Sequence, residues 1–195
     1  SYAGLFQTSP TQDSHLDAAL KEMFARHQRF GIPEICRYNA DGVAVQVLSA
    51  TGVPDPASLH LPRPYLEWAR DPDHAGKVFL SKTYVASSAP WQGHRVMRFL
   101  TPLYHSGSPN QFAGVLEFII DPFFICGKVT ADVRSGQTGY AWIIDQNLIM
   151  LAHYEKEFVG HDAMQIRVAR NPQIVFRGLR ELHGNLLAGR EGVTE

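Results

Sequence analysis

The chain has 195 residues, of which 45% are hydrophobic and 19% are charged, and this composition is that of an ordinary globular protein of one domain or two small ones. Its 18 Lys and Arg residues are balanced by 19 Asp and Glu residues, so the net charge is −1 and does not indicate a nucleic acid or an anionic membrane as partner. No apolar run approaches the roughly 18 residues of a membrane helix, and the first residues do not resemble a signal peptide. We therefore expect any membrane anchoring to come from segments outside this chain.

The first predicted element is an amphipathic helix that begins at Ser14, with Asp17 three residues on as in a capping box. The helix is expected to end at Gly31, because glycine commonly follows the last helical turn. Its apolar face comprises Leu16, Leu20, Met23, Phe24 and His27. We expect this face to be buried against the rest of the fold or against a second helix.

Two strands are predicted over residues 32–38 and 43–49, because the turn residues Asn39 to Gly42 stand between two β-type runs. In the second strand Val43, Val45 and Val47 alternate, which places all three on one core face. The next residues, 50–64, are rich in proline and indicate a loop.

A helical turn is then expected over residues 65–70, followed by strands over 77–84, 95–104 and 111–120. Two strands, a helical segment and three further strands predict an α+β fold. Its first part is an antiparallel five-stranded sheet with helices packed over one face.

The last of these strands is predicted to end at Asp121-Pro122, where Asp121 caps a short helix and Pro122 takes its first position. Beyond a polar run at residues 134–139, a hairpin is expected over 140–145 and 148–153, with its turn at Gln146-Asn147. A helical region follows, is broken at Asn171-Pro172, and resumes through Ile174, Val175, Leu179 and Leu182 to Gly184.

No further strands are predicted after the hairpin, and an isolated two-stranded hairpin is marginally stable. We therefore expect this second part to be stabilised by packing against the first part, against a partner chain or against further residues. We also expect it to lack the strands for a ligand cavity equivalent to that of the first part.

The hairpin region carries the motif Gly136-Gln-Thr-Gly-Tyr-Ala-Trp-Ile-Ile-Asp145, followed by Leu151-Ala-His153 and Phe158-Val-Gly160. This motif resembles the junction between the two lobes of a double Cache (PAS-like) sensor domain, found in bacterial histidine kinases, chemoreceptors and diguanylate cyclases. The resemblance implies an N-terminal helix over 1–31, a PAS-like lobe over 32–134 with the five-stranded sheet, and a partial second PAS-like lobe over 135–195.

The resemblance also implies a function. Such a domain is the periplasmic or extracellular ligand-sensing input of a transmembrane receptor, has no enzyme activity and no cofactor of its own, and often forms a homodimer through its N-terminal helix. The role implied for His153 is structural.

Ligands of a PAS-like lobe bind between the concave face of the sheet and the segments that cover it. In this chain those segments offer aromatic and cationic side chains, namely Tyr65, Trp68, Arg70, Lys82, Tyr84, Arg95, Arg98 and Tyr104. Arginine binds carboxylates bidentately, and aromatic rings enclose the organic part of a ligand. Each of these residues also fits a plain core or surface role.

The predicted ligand is a small organic molecule. Relatives that bind amino acids have a Tyr…Arg-x-Trp-Tyr pattern and an Asp on the strand before the junction. Here Tyr65, Trp68 and Arg70 stand in another order, and Ile119 or Glu117 stands about where that Asp falls. The resemblance therefore favours an organic anion, or no ligand, over an α-amino acid. If the ligand is an anion, Arg98→Ala is expected to abolish its binding. The same substitution is expected to leave the stability of the unliganded protein nearly unchanged.

Other functions have weaker support in the sequence. His153 with His161-Asp162 superficially matches the metal-dependent HD phosphohydrolases, but metal ligation needs at least three convergent groups. No GxSxG nucleophile elbow and no phosphate-binding GK[ST] ending occurs. The rival to a sensor is a cytosolic PAS- or profilin-like scaffold that binds a protein partner.

The chain contains only two cysteines, Cys36 and Cys126, and their spacing fits neither a redox motif nor haem attachment. We expect two buried free thiols. A disulfide would require the first strand and the helix after Asp121 to lie side by side.

Overall fold

The computed structural model describes residues 7–8, 10–52, 55–87, 91–105, 108–136 and 139–191. The chain folds into two compact units, Ser1–Asp121 and Pro122–Glu195. The helix after Pro122 thus lies in the second unit, whereas the sequence analysis placed it in the first lobe. The functional division into lobes stays a prediction.

The first unit contains seven strands and two α-helices among its described residues. The strands are β1 (Gln7–Thr8), β2 (Glu34–Asn39), β3 (Ala44–Ser49), β4 (Phe79–Leu80), β5 (Tyr84–Val85), β6 (Arg95–His105) and β7 (Ser108–Ile120). The helices are α1 (Pro10–His27) and α2 (Arg63–Arg70), with single 3-10 turns at Gln28–Phe30, Pro56–Ser58 and Pro72–His74.

The strands form one sheet in the order β1-β6-β7-β2-β3, and β4 and β5 pair with β6 beside β1. All pairs are antiparallel except β1 with β6. The five predicted strands are therefore present. The third of them is divided into β4 and β5, and β1 adds a parallel edge that the sequence did not predict.

The hairpin between β2 and β3 forms for the predicted reason. The Asn39 side-chain oxygen accepts hydrogen bonds from the backbone N–H groups of Asp41 and Val43, each at 3.0 Å. Gly42 takes a positive φ of 80°, which is unfavourable for other residues. Where β2 pairs with β7, a Cβ on Gly114 would lie 2.0 Å from the Tyr38 carbonyl oxygen, so this strand pair requires glycine.

Helices cover both faces of the sheet, not one face as predicted. Successive side chains of a strand point to opposite faces, so Ile35 and Leu116 lie on the face that α1 covers, while Cys36 and Val115 lie on the other. The second face packs against Leu66 and other residues of α2. Each strand in the middle of the sheet therefore has two buried faces.

The apolar stripe of α1 is confirmed, with corrections at its ends. Leu20 is buried against the sheet, and Leu16, Met23 and Phe24 pack around it partly buried. His27 is exposed and does not belong to the stripe. The helix begins at Pro10, one turn before the predicted start, and the Ser14 side chain of the predicted capping box lies outside the described residues.

The predicted burial of alternate valines in β3 is wrong at one position. Val47 is buried, but Val45 is 46% exposed, and Ala44 is buried instead. The cause is a register shift where β2 pairs with β3 between Arg37 and Tyr38, which changes the alternation of the edge strand.

The second unit contains β8 (Arg134–Ser135), β9 (Gly139–Tyr140), β10 (Ile143–Ile144) and β11 (Met150–Ala152) among its described residues. Its helices are α3 (Pro122–Thr130), α4 (Gln165–Arg170) and α5 (Arg177–Leu187), with a 3-10 turn at Lys156–Phe158. The strands pair antiparallel as β8 with β9 and β10 with β11. Pro122 opens α3 as predicted.

The turn between β10 and β11 is also confirmed. The Asp145 carboxylate is buried and accepts hydrogen bonds from the N–H groups of Asn147 and Ile149, each at 2.8 Å. The helical region is interrupted at Asn171-Pro172 as predicted. It resumes only at Arg177, so Ile174 and Val175 lie outside the helix and are exposed.

A small core holds this unit together. Met150, Phe158 and Ala163 are buried, with Trp142, Ile144 and Ile166 packed around them. Within the described part of the chain, no helix combines the length and apolar character of a membrane span.

Candidate functional site

A cavity of about 110 Å³ lies in the first unit, on the face of the sheet opposite α1. Its polar and aromatic lining comprises Glu34, Tyr38, Tyr84, Trp91, Arg98 and Glu117. These side chains come from β2, β5, β6, β7 and the loop before β6. Because β2, β7 and β6 are neighbours in the sheet, side chains distant in sequence converge on one cavity.

Glu117 is the most deeply buried charged group of this cavity, with 2% of its surface exposed. The Tyr38 hydroxyl donates a hydrogen bond to its Oε2 atom at 2.7 Å. The Arg98 Nη1 atom lies 3.2 Å from its Oε1 atom, in an ion pair that is not aligned as a hydrogen bond. Burial raises the pKa of the Glu117 carboxyl, and Arg98 and Tyr38 oppose that increase.

Arg98 is held from several sides. Its Nε donates to the Tyr84 hydroxyl, and its guanidinium lies over the rings of Tyr65 and Tyr84, 5.4 and 5.2 Å from their centroids. Burial raises the pKa of Tyr84, while the neighbouring guanidinium acts in the opposite direction. The guanidinium therefore occupies one orientation, between a carboxylate and two aromatic rings.

Glu34 forms a second acidic group beside the cavity. It is 6% exposed, and its Oε2 accepts a hydrogen bond from the Trp91 indole N–H at 3.0 Å. Its Oε1 accepts a weak hydrogen bond from the Cys36 thiol at 3.6 Å. Burial first, and then the Glu34 and Glu117 carboxylates, raise the pKa of that thiol, so Cys36 stays protonated.

Of the predicted site residues, Tyr84 and Arg98 line this cavity, and Tyr65 contacts Arg98 from outside it. Trp68 instead stacks on His74, with ring centroids 4.4 Å apart, and packs against the core. Tyr104 is buried beside Phe112.

The remaining predicted residues are cations that lie elsewhere. Arg70 is exposed and donates to the Ala40 carbonyl at 2.6 Å, Arg95 donates to the Thr83 hydroxyl at 3.2 Å, and Lys82 is exposed. The structure therefore brings together one aromatic residue and one cation of the predicted set at the cavity. Which of the predicted residues contact a ligand stays a prediction.

Glu34, Tyr38, Trp91 and Glu117 were not among the predicted site residues. One pattern in the sequence does point to Glu117: it is the one charged residue in the strongly apolar run 112–120. A charge is rarely placed in a strand buried on both faces without a partner, so that position indicates a buried ionic contact. The partner's identity follows only from the strand register.

The second unit also contains a cavity, of about 320 Å³. It lies beside α3, β9 and β11 and includes Arg134, Tyr140 and Lys156 in its walls. Its walls come from a helix and a turn as well as from strands, so it differs from the sheet-lined cavity that the sequence predicts this part to lack. Among the described residues, no three His, Cys, Asp or Glu side chains lie together in a way that could hold a metal ion.

Comparison with known proteins identifies the fold. No family model matches the sequence, and no curated protein matches it. Among solved structures, the extracellular domains of the putative histidine kinases mmHK1S-Z3 and mmHK1S-Z2 are similar, each 14% identical, with TM-scores of 0.56 and 0.54. The matches cover 97% and 98% of this chain and 70% and 72% of those chains.

The ligand-binding domain of the Pseudomonas aeruginosa amino acid chemoreceptor PctC, solved with GABA, is 16% identical with a TM-score of 0.52. The match covers 89% of this chain and 71% of that one. For a Pseudomonas fluorescens chemoreceptor domain, the chain spans 65% of the solved length. The chain therefore has the PAS-like, Cache-type α+β fold of the extracellular sensor domains of histidine kinases and chemoreceptors, as its sequence motif predicts.

Proposed function

We propose that this chain is the extracytoplasmic ligand-sensing input domain of a bacterial transmembrane signalling receptor, and that it binds a small organic molecule in the cavity of the first unit. The observation that carries the proposal is the pair of buried carboxylates, Glu34 and Glu117, beside Arg98 at one cavity. Buried ion pairs contribute little net stability, because desolvation of the charges offsets their attraction. Their concentration at a cavity with aromatic walls is typical of binding sites.

The proposed ligand is smaller than most drug-like molecules, because the cavity of about 110 Å³ is below the usual range of roughly 300–1,000 Å³. The solved PctC domain contains GABA, a molecule with one carboxylate and one amino group. A ligand of that size and polarity suits a cavity whose lining carries both signs of charge. Tyr84 and Trp91 would form its walls, and Arg98 and Glu34 would supply hydrogen bonds.

The proposed domain is non-enzymatic, and the output of the receptor, a kinase, chemoreceptor or diguanylate cyclase module, would lie elsewhere in the full protein. Successive side chains of β2 point to opposite faces of the sheet, and this offers a route for the signal. Glu34 faces the cavity, whereas Ile35 faces α1, so a ligand that shifts β2 also changes the packing of α1. A ligand that binds one arrangement better than another shifts the population between them.

A thermal-shift screen with GABA, α-amino acids, small amines and small carboxylates tests the proposal. A ligand at a hundredfold excess over its dissociation constant stabilises the folded state by about 2.7 kcal/mol. Tyr84→Phe removes one hydroxyl from the cavity, and Trp91→Phe removes the donor to Glu34. Each should reduce the shift produced by a hit.

Tyr104→Phe is the matched control, because it removes a buried hydroxyl from β6 outside the cavity lining. It should leave the shift unchanged. A hit whose shift survives both cavity variants, or a screen in which no compound stabilises the protein, would contradict the proposal.

A further inference from the structure

The cavity of the second unit has a volume of about 320 Å³, against about 110 Å³ for the cavity lined by Glu117 and Arg98. It is lined by residues of α3, by Tyr140 of β9, and by the end of β11 with the turn that follows it. Its volume falls within the usual range for small-molecule sites, roughly 300–1,000 Å³. All of its lining residues belong to this unit.

The charge of this cavity has one sign. Its lining includes Arg134 and Lys156, and no Asp or Glu stands among the described residues that line it. The carboxylates on either side of Lys156 in sequence, Glu155 and Glu157, are both paired with Arg170. Arg170 carries one positive charge against these two carboxylates and neutralises them only in part, so the positive charge at the cavity comes from Arg134 and Lys156 in its lining.

Arg134 is exposed, and its guanidinium is hydrogen-bonded to the neighbouring backbone. Its Nη1 atom donates to the backbone carbonyls of Ala131 and Val133, at 3.2 and 3.0 Å. A guanidinium has five N–H donors, so these bonds leave donors available to a carboxylate. A cation anchored in this way loses little conformational entropy when it binds an anion.

Aromatic rings form one wall. The ring centroids of Tyr140 and Tyr154 are 4.0 Å apart, and those of Tyr140 and His153 are 5.0 Å apart. His153 also stacks on Phe158 at 4.5 Å, which fixes the orientation of its ring. Burial and the nearby Arg167 lower the pKa of His153, so the imidazole is uncharged at neutral pH and acts as an aromatic surface.

Gly127 is an exposed residue of α3 in the cavity lining, and the space beside it is open. A Cβ built there would meet no heavy atom within 4 Å. From this open position, the aromatic wall and the two cations of the lining together, we propose that the second unit contains a separate binding site for a small organic carboxylate with a planar apolar body.

Benzoate and benzylamine are suitable probes, because they share the phenyl ring and differ in the sign of their charge. Each is titrated into the 195-residue protein while backbone amide resonances are followed by NMR. Benzoate should bind saturably, with shifts concentrated around Gly127, Arg134 and Lys156. Benzylamine should bind at least about tenfold more weakly, since the charged contacts are lost.

Gly127→Leu extends a side chain into the open space and should weaken benzoate binding at least about tenfold, by excluding the ring. Gly184→Leu is the matched control, because Gly184 is also a helical glycine with open space around its Cβ position but does not line the cavity. It should leave binding unchanged. The double variant Arg134→Gln, Lys156→Gln should remove the preference for benzoate over benzylamine.

Equal affinity for the two probes, binding that Gly127→Leu does not weaken, or the absence of saturable benzoate binding up to about 10 mM would each overturn the inference. The inference does not depend on the site proposed for the first unit. Tyr84→Phe should leave benzoate binding unchanged, and Gly127→Leu should leave binding at the first cavity unchanged.

Discussion

The cavity lined by Arg98 and the cavity lined by Arg134 differ in how their charged groups are paired. In the first unit Arg98 is paired with Glu117 and hydrogen-bonded to Tyr84, so the charges satisfy one another before any ligand arrives. In the second unit the Arg134 guanidinium donates to backbone carbonyls, and no carboxylate stands beside Lys156 among the described residues that line the cavity. The first cavity is part of the core of its unit, whereas the second is a recess whose charged groups reach solvent.

This difference predicts which residues the fold depends on. Removing one partner of a buried ion pair leaves the other charge desolvated and unpaired, which is costly. Removing an exposed cation costs little. An arginine at the first cavity should therefore contribute more to the stability of the fold than an arginine at the second.

The largest expected effect comes from Arg98→Ala, which should lower the free energy of unfolding by about 3 to 5 kcal/mol because Glu117 remains buried without its cation. The buried ion pair thus leads to a different prediction from the one made from sequence, that the substitution leaves the unliganded protein nearly unchanged. Arg134→Ala in the second unit should change the free energy by no more than about 0.5 kcal/mol. Urea denaturation of both variants measures these changes in the free energy of unfolding. Similar losses in the two variants would contradict the proposed difference between the units.

A smaller effect should appear in the pH dependence, with opposite directions in the two units. The Glu117 pKa is raised by burial, so its contribution to stability is present below the ordinary pKa and is lost as pH rises through the folded-state pKa. The His183 pKa is lowered, first by burial and then by Arg167, while Asp162 acts in the opposite direction. Its contribution is present above the ordinary pKa of 6.5 and is lost as pH falls through the lower folded-state value.

His183 is 2% exposed, and neither ring nitrogen has a hydrogen-bond partner among the described residues. His183→Phe should therefore reduce the loss of stability on acidification, by up to about 1.4 kcal/mol per pH unit. Glu117→Gln should reduce the loss on the alkaline side. Unfolding free energies measured from pH 4 to 9 for the three proteins test both directions, and a wild-type slope retained in His183→Phe would exclude this histidine as its source.

The smallest effect concerns thiol reactivity, with one cysteine outside any disulfide in each unit. Cys36 is fully buried and its raised pKa keeps it protonated, so it should react very slowly with a thiol reagent in the folded protein. Cys126 is only half-buried, contrary to the expectation of two buried thiols, and should react first. Labelling followed by mass spectrometry gives the order, and faster modification of Cys36 would show that the first unit opens more readily than its packing implies.

The parts of the fold that were predicted correctly depend on local chemistry. The β2–β3 hairpin follows from the side chain of Asn39 and the positive φ of Gly42, and the start of α3 follows from Pro122. The errors have tertiary causes. The register shift beside Tyr38 exposes Val45, and the burial of alternate residues on both faces of β2 and β7 requires helices on two sides of the sheet.

The candidate site was predicted only in part, for a related reason. Tyr84 and Arg98 were found because aromatic and cationic residues stand out in a covering strand. Trp68 and Tyr104 are aromatic residues of the same predicted set, but they pack against neighbouring rings. Whether such a side chain faces a cavity or a neighbouring ring depends on how strands align, and that alignment is not encoded near the residue itself.

The sequence by itself determined the order of the elements, their turns and caps, and the resemblance to Cache-type sensor domains, because each of these depends on residues close together in the chain. Only the tertiary structure decided that Glu117 pairs with Arg98 and Tyr38, and that Arg134 and Lys156 lie at a separate cavity. Those contacts join residues from different strands and helices. They depend on strand register and on the burial of charge, which sequence neighbours do not specify.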